Sequence, residues 1–432
     1  MDAIVHAEWD RLRTVVLHRP GIEMFFGLLE PYASLYDRAF SQTGALTEHL
    51  RLEDILRHEF GVKVILVKDA IKTAADTDPK VREKLVDAAR TSLTFTGDQK
   101  EVALAWTEFE KNVGVFDPEH FITILLLQPA IRFRVGNGVR NIDLTFTEHQ
   151  PLSNLYFMRD QQAVTDRGII LGRMAKPQRT REPAVTRLLW DIMGVPISHE
   201  TAGPGIFEGG DFMPMKTFAL IGMGDRTNWA GVEQLLSSGI GFDEVGVVSQ
   251  PAYPTVKGTV PDAMADMHLD TYFNVASSGV VVGSARLMRQ AKLEIFYRNG
   301  DTYYKEKGNI SLYSFIREKG FDVIDITMLE QMAYAPNFLC IRDGTILSVE
   351  VDRTVKKVIA TLAVKAELDP GRYGALHAKT LKEYSILKRE GQFFPHKKEV
   401  YQHGLDAYPI VIEDLTGGFG AAHCMTCVLN RN

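Results

Sequence analysis

The chain has 432 residues, 45% hydrophobic and 24% charged, with a formal net charge of −6 from 49 Lys and Arg against 55 Asp and Glu. This composition suits a globular chain with one large or two modest cores, and the balanced charge, without a long run of either sign, gives no electrostatic case for nucleic acid or an anionic membrane as partner. Three cysteines make no disulfide framework, the most apolar run (121–127) is too short for a membrane span, and residues 1–6 lack a signal-peptide pattern, so reducing cytoplasm is the expected compartment.

Residues 13–18 are β-branched and apolar, Pro20-Gly21 breaks them, a helical pattern follows over 45–60, and 62–67 reads as a second strand. From 71 to 146 the pattern becomes mostly helical, over 79–91, 99–113 and 118–127. It interrupts an α/β alternation and is predicted to be an inserted helical subdomain, with 1–70 and 147–432 forming the catalytic part. Packing or oligomer contact is its expected role, and a homo-oligomer, dimer or higher, is expected.

A weak repeat then runs four times: a polar marker, a turn, an aliphatic strand and an arginine. Asp160 precedes Asp166-Arg167-Gly168, the strand 169–171, Arg179 and a helix over 182–193. Asp211 precedes 218–221, Arg226 and a helix to 237; Asp270 precedes Ser278-Gly279, 280–282 and Arg286; Asn337 precedes Asp343-Gly344, 345–351 and Arg353. The markers lie 51, 59 and 67 residues apart, a spacing that predicts an array of supersecondary units. A fifth unit, assembled from the N-terminal strand and the C-terminal hairpin, would close the array into a ring with the markers and Cys424 at its axis. Residues 366–408 do not fit the repeat and are predicted to be an extra insertion: surface elaboration, a lid or an oligomer contact.

The last stretch, Gly417-Gly418-Phe419-Gly420-Ala421-Ala422-His423-Cys424-Met425-Thr426-Cys427, surrounds a thiol with small residues. Glycines let backbone approach a ligand closely, and a thiol among exposed amides attacks electrophilic carbon, which makes Cys424 the candidate nucleophile. Cys424 and Cys427 beside His423 also have metal-site spacing, but a structural zinc site takes four ligands, and the only other cysteine is Cys340. A thioredoxin-like pair needs a helix after its second cysteine, and Gly418-Phe419-Gly420 lacks the helix and strand of a dinucleotide fingerprint. No metal and no organic cofactor is expected.

The polar residues at the inner ends of the units are Asp160, Glu208 in Glu208-Gly209-Gly210-Asp211, and His268 and Asp270 in Met267-His268-Leu269-Asp270-Thr271. Two apart on a strand, His268 and Asp270 would share a face. Three carboxylates converging on a thiol and an imidazole are costly unless a cation joins them. A guanidinium fits, because its planar fork pairs with carboxylates. Asp160 and Asp270 would hold the fork while Cys424 attacks its carbon. His268, oriented by Glu208, would protonate the departing nitrogen and activate water.

With Leu17-His18-Arg19-Pro20-Gly21, Glu48-His49, 154–160, 176–182, 207–211, 221–227, 267–271 and His423-Cys424-Met425-Thr426, most of the chain resembles the arginine deiminase family of guanidino-group-modifying enzymes. The resemblance implies an α/β fold, a five-bladed pseudo-symmetric propeller (pentein) with an inserted helical subdomain. It also implies hydrolysis of free L-arginine to L-citrulline and ammonia through an S-alkylthiouronium on Cys424, with Cys424, His268, Glu208, Asp160 and Asp270 in the roles above. Asn154, Arg179 and Arg226 match positions holding the substrate α-carboxylate, Phe157 one packing on the guanidinium, and Gly418 one lining the substrate site. Both arginines favour arginine over agmatine, which has no carboxylate. Phe419 stands where the family has an arginine. The alternatives are a related guanidine hydrolase or amidinotransferase on another substrate, and a non-catalytic arginine-binding protein.

Overall fold

The computed structural model of the chain describes residues 3–136, 139–145, 150–251, 267–300, 302–306 and 308–432. The N-terminal strand Leu12–Leu17 is the middle of a sheet: it runs parallel to Lys63–Leu66 and antiparallel to Cys427–Arg431. Its residues Val15, Val16 and Leu17 are wholly buried, as expected of a central strand covered on both faces. The two ends of the chain are thereby stitched together, and Val16 lies opposite Cys427.

The same arrangement recurs downstream. Gln162–Thr165 pairs antiparallel with Gly168–Leu171, which a helix, Glu182–Met193, links to the parallel strand Ile197–Glu200. Phe212–Pro214, Phe218–Met223 and Glu244–Ser249 repeat it around the helix Trp229–Ser238, and a further hairpin, Lys292–Asn299 with Thr302–Lys305, extends that sheet. Phe273–Ser277, Val280–Gly283 and Asp322–Asp325 form the next unit. Leu339–Arg342, Thr345–Val349 and Asp406–Ile410 form the last. In each of these units one central strand pairs antiparallel on one side and parallel on the other, a pattern that the sheet of Thr94–Gly97, Ala130–Gly136 and Val139–Thr145 also shows. A shared apolar core that includes Val15, Leu17, Phe338, Leu347 and Met425 lies beneath several of them, each such side chain stabilising by roughly 1.5–3 kcal/mol through its burial.

The three helices predicted between 71 and 146 are present as Pro79–Ser92, Gln99–Asn112 and Pro118–Leu127. Asp78, Asp98 and Asp117 accept backbone N–H groups at their starts, and a proline occupies the first turn of two of them, the usual chemistry of a helix N-terminus. The predicted end of that stretch, Phe146, lies outside the described residues. A sheet of Thr94–Gly97, Ala130–Gly136 and Val139–Thr145 accompanies the helices. Its signal is a period-two alternation of Ile131, Phe133 and Val135 with Arg132 and Arg134, short enough to be lost among long helical patterns.

Within 366–408 the structure places the whole of Pro370–Glu390, which packs against the preceding helix Val351–Leu368, and the short helix Lys398–Gln402. The strand Asp406–Ile410 begins inside the same stretch and completes the last unit. The helices are tied to the rest of the chain by the ion pair Lys365 Nζ to Asp37 Oδ1 (2.6 Å) and by Glu383, whose carboxylate accepts the Leu329 N–H at 2.9 Å.

Candidate active site

Each polar marker sits just before the first strand of its unit, where the chain turns inward. Asp160 precedes Gln162–Thr165, and Glu208 leads the short 3-10 turn Gly209–Asp211 ahead of Phe212–Pro214. His268 and Asp270 precede Phe273–Ser277, Asn337 precedes Leu339–Arg342, and Cys424 precedes Cys427–Arg431. All of these side chains are buried.

The carboxylate of Glu208 is the hub of one half of the site. Its Oε2 lies 2.9 Å from His268 Nε2 and 3.3 Å from Arg226 Nη1, while its Oε1 accepts the Ala175 N–H at 2.9 Å. His268 Nδ1 faces Asp160 Oδ1 at 3.7 Å. Burial alone would depress the imidazole, but the charges of Asp160, Glu208 and Asp211 outweigh it and raise its pKa to about 9. Glu208 shows the converse: burial would raise it, and Arg226 and His268 hold it well below the usual carboxylate range. Asp211 accepts the Leu269 N–H at 2.9 Å and so steadies the His268–Asp270 turn; its burial pushes it up to about 6.

The other half surrounds the thiol. Cys424 Sγ lies 3.5 Å from Asp270 Oδ2 and 3.0 Å from Asn337 Nδ2. The same Asp270 oxygen lies 2.7 Å from His423 Nδ1. Burial first, then the charges of Asp270 and Asp160, push the thiol well above its ordinary pKa. Behind His423 a buried network continues through Glu8, which pairs with Arg159 (3.0 Å) and Arg431 (3.1 Å). Arg159 also donates its backbone N–H to the Cys424 carbonyl at 3.0 Å.

His268 and Asp270 do not share a strand face. The turn Leu269–Thr271, closed by the Thr271 N–H to the His268 carbonyl, sends them to different partners. His268 meets Glu208 and Asp160, and Asp270 meets His423 and Cys424.

Arg179 and Arg226 are buried against carboxylates of the site. Arg179 grips Glu182 through Nε and Nη2 (3.1 and 2.8 Å) and Asp160 through Nη1 at 2.6 Å. Arg226 faces Glu208 and Asp225. Asn154 is buried with its Nδ2 donating to the Ser34 carbonyl at 2.8 Å. Phe157, its ring 4.0 Å from that of Tyr156, lies against the nucleophile loop, and a Cβ on Gly420 would stand 2.5 Å from Phe157 and 2.9 Å from the Cys424 Cβ. A Cβ on Gly418 would meet the Tyr156 hydroxyl, so the loop closes on these rings only with glycine.

Asp160, Glu208 and His268 offer three potential metal-ligand atoms within 4.8 Å of one another, the one such group among the described residues. Arg179 and Arg226 already bring positive charge to its two carboxylates. Cys427, the second cysteine of the Cys-x-x-Cys spacing, is buried on its strand with its thiol pushed up to about 12 by that burial. Sequence reasoning did not single out Glu8, Arg159 or Glu182, and treated His423 only as a neighbour of the thiol. In the sequence Asn337 is a repeat marker, and its position equivalent to those of Asp160 and Asp270 is the signal that points to the site.

The arginine deiminase family model matches residues 33–431. Arginine deiminase of Halobacterium salinarum is 25% identical over 504 aligned positions, covering 98% of this chain and 96% of that protein. Arginine deiminase of Staphylococcus haemolyticus is 28% identical over 407 positions, covering 86% and 95%. Among solved structures, the product-bound N-terminal domain of ArgZ, an arginine dihydrolase from the ornithine-ammonia cycle in cyanobacteria, matches with a TM-score of 0.51 at 12% identity, covering 98% of both chains. The likeness is one of fold, an α/β architecture with mixed sheets.

Proposed function

The chain belongs to the arginine deiminase family, and from that premise we propose that it hydrolyses the guanidino group of free L-arginine to L-citrulline and ammonia. The observation that carries this reading is the setting of the Cys424 thiol. It is held beside Asp270, under the charge of Asp160, and is pushed above its ordinary pKa by burial and by both acids. Such a thiol ionises readily only when a cation enters between the carboxylates, and a guanidinium is both that cation and the electrophile. A site that stays inert until its substrate binds spares the thiolate from other chemistry.

In this mechanism the entering guanidinium takes Asp160 and Asp270. Asp160 now holds Arg179 Nη1 at 2.6 Å, so substrate displaces that contact and Arg179 turns with Arg226 and Asn154 toward the α-carboxylate, while Phe157 packs on the guanidinium and Gly418 lines its path. Cys424 gives up its proton to solvent as the cation settles, and its Sγ forms a bond to the central carbon, whose π electrons move onto nitrogen. Protonated His268 gives its proton to one terminal nitrogen, the carbon–nitrogen bond breaks, and ammonia leaves an S-alkylthiouronium. A water then gives a proton to His268 and adds to the carbon. The carbon–sulfur bond breaks, returning the thiolate, and the added hydroxyl loses its proton to solvent, where ammonia takes it up, as it becomes the carbonyl of citrulline. The residues present call for neither metal nor organic cofactor. The five units, each with one inward polar turn, support a five-bladed ring around this site, with residues 71–146 as a subdomain inserted into it.

The test is to incubate purified protein with L-arginine and, separately, agmatine, and to assay ammonia together with the ureido product. Citrulline and ammonia in equal amounts from arginine, with little from agmatine, is the expected result. Folded protein that yields no citrulline overturns the reading. A second variant probes the geometry. A Cβ on Gly210 would stand 2.7 Å from the His268 ring, so Gly210→Ala should displace the imidazole and lower kcat by about 10-fold or more with an unchanged circular dichroism spectrum. Native kcat in that variant would show that catalysis does not depend on the placement of His268.

A further inference from the structure

We propose that Asn337 is a positioning residue whose carboxamide supports the Cys424 thiolate, holding the nucleophile loop with one end of the amide and donating to sulfur with the other. This rests on Cys424 being the nucleophile of the reaction proposed above. Asn337 is 1% exposed and sits on the turn before Leu339–Arg342. Its Oδ1 accepts two backbone N–H groups from the loop, those of Ala421 at 2.8 Å and Cys424 at 3.1 Å. Its Nδ2 donates to Cys424 Sγ at 3.0 Å and to the Asp270 carbonyl at 3.4 Å. Its own carbonyl accepts the His423 N–H at 3.1 Å.

The assignment of oxygen and nitrogen on this amide follows from the network rather than from choice. Two N–H donors face one end, and a carbonyl and a sulfur face the other, so the reversed amide would set donor against donor and acceptor against acceptor. The NH₂ group is therefore aimed permanently at sulfur. That matters because the charged groups that act most on the Cys424 thiol, Asp270 and Asp160, are acids. Asp270 and Asp160 oppose the thiolate, Tyr156 lies near enough to interact with it, and His423 is engaged by Asp270. Asn337 is the side-chain donor that reaches the sulfur, and a fixed dipole in a water-poor site needs no reorganisation as charge appears. The hydrogen bond favours the ionised thiol. When sulfur returns as leaving group in the second half of the reaction, the same donor receives it.

The experiment follows the pH dependence of Cys424 alkylation by iodoacetamide, read by mass spectrometry of the peptide, in native protein, Asn337→Ala and Asn337→Asp, alongside kcat and KM. Asn337→Asp keeps an oxygen for the two loop N–H groups and, read above pH 8, lacks the donor. Both variants should alkylate about tenfold or more slowly at a given pH, with the midpoint moved upward, and kcat should fall further than KM rises. A merely structural clamp predicts something different: lower thermal stability in Asn337→Ala with an alkylation profile superimposable on the native one, Asn337→Asp slowing alkylation through its added charge on either reading. A superimposable profile from folded Asn337→Ala overturns the proposal. The alkylation arm needs no arginine, so a chain that fails to make citrulline still tests Asn337 separately from the function.

Discussion

Cys424→Ser yields a folded protein that binds arginine and releases no measurable citrulline, a loss of more than about 10⁴-fold in kcat. The argument begins from the sulfur's surroundings. Asn337 Nδ2 and Asp270 Oδ2 lie 3.0 and 3.5 Å from Sγ, and a serine hydroxyl can keep a donor to the acid and an acceptor for the amide. The backbone of the loop is held independently, by Asn337 Oδ1 and by the Arg159 N–H on the Cys424 carbonyl. Folding and binding should therefore survive. The alkoxide should not form, because burial and two flanking carboxylates already push even a thiol well above its ordinary pKa, and an aliphatic hydroxyl starts far higher. Calorimetry with arginine separates binding from chemistry, and acid-quenched native protein should carry the arginine-derived S-alkylthiouronium on the Cys424 peptide while the variant carries none. Residual turnover above a thousandth of native, or an adduct on another residue, would overturn the covalent scheme.

The parts of this site that could be read in the sequence are those whose chemistry is local. Cys424 among glycines, His268 beside Asp270, and Glu208 in Glu208-Gly209-Gly210-Asp211 are short motifs in which residue type and spacing survive folding, and the structure brings all of them to one buried cluster. The repeat was legible for the same reason: each unit places its polar residue at an equivalent turn, so the markers recur even where the intervening lengths differ. What depends on long-range pairing was not legible. The strand alternation assumed for His268 and Asp270 fails because the Asp211 carboxylate, nearly sixty residues upstream, accepts the Leu269 N–H and bends the segment into a turn. The engagement of Arg179 with Glu182 and Asp160 follows from a helix start that packs inward. The role of Asn337 appears only once Ala421 and Cys424 present their N–H groups to it, a contact spanning more than eighty residues.

Glu208→Gln moves the alkaline limb of kcat to lower pH and lowers its plateau about 10- to 100-fold. Glu208 Oε2 lies 2.9 Å from His268 Nε2, and glutamine removes the charge while keeping one acceptor oxygen, for the Ala175 N–H, so that its NH₂ group faces the imidazole and no longer accepts from the protonated ring. In the native site burial depresses His268, yet Asp160, Glu208 and Asp211 together raise it to about 9. The imidazolium that protonates departing ammonia is thus present below about pH 9 and is lost as pH rises through that value, so native kcat should decline on that limb. Without the Glu208 charge burial regains ground, His268 deprotonates earlier, and the limb shifts toward neutrality. Stability moves in the same sense. A histidine raised above its unfolded pKa of about 6.5 stabilises the fold fully below that pH and loses the contribution as pH rises through the folded value. The pH dependence of thermal unfolding between pH 6 and 10 should therefore be flatter in Glu208→Gln than in the native protein. If the kinetic limb stays where it was while the unfolding curve flattens, His268 titrates as described but is not the proton donor, and the acid must be sought elsewhere in the cluster.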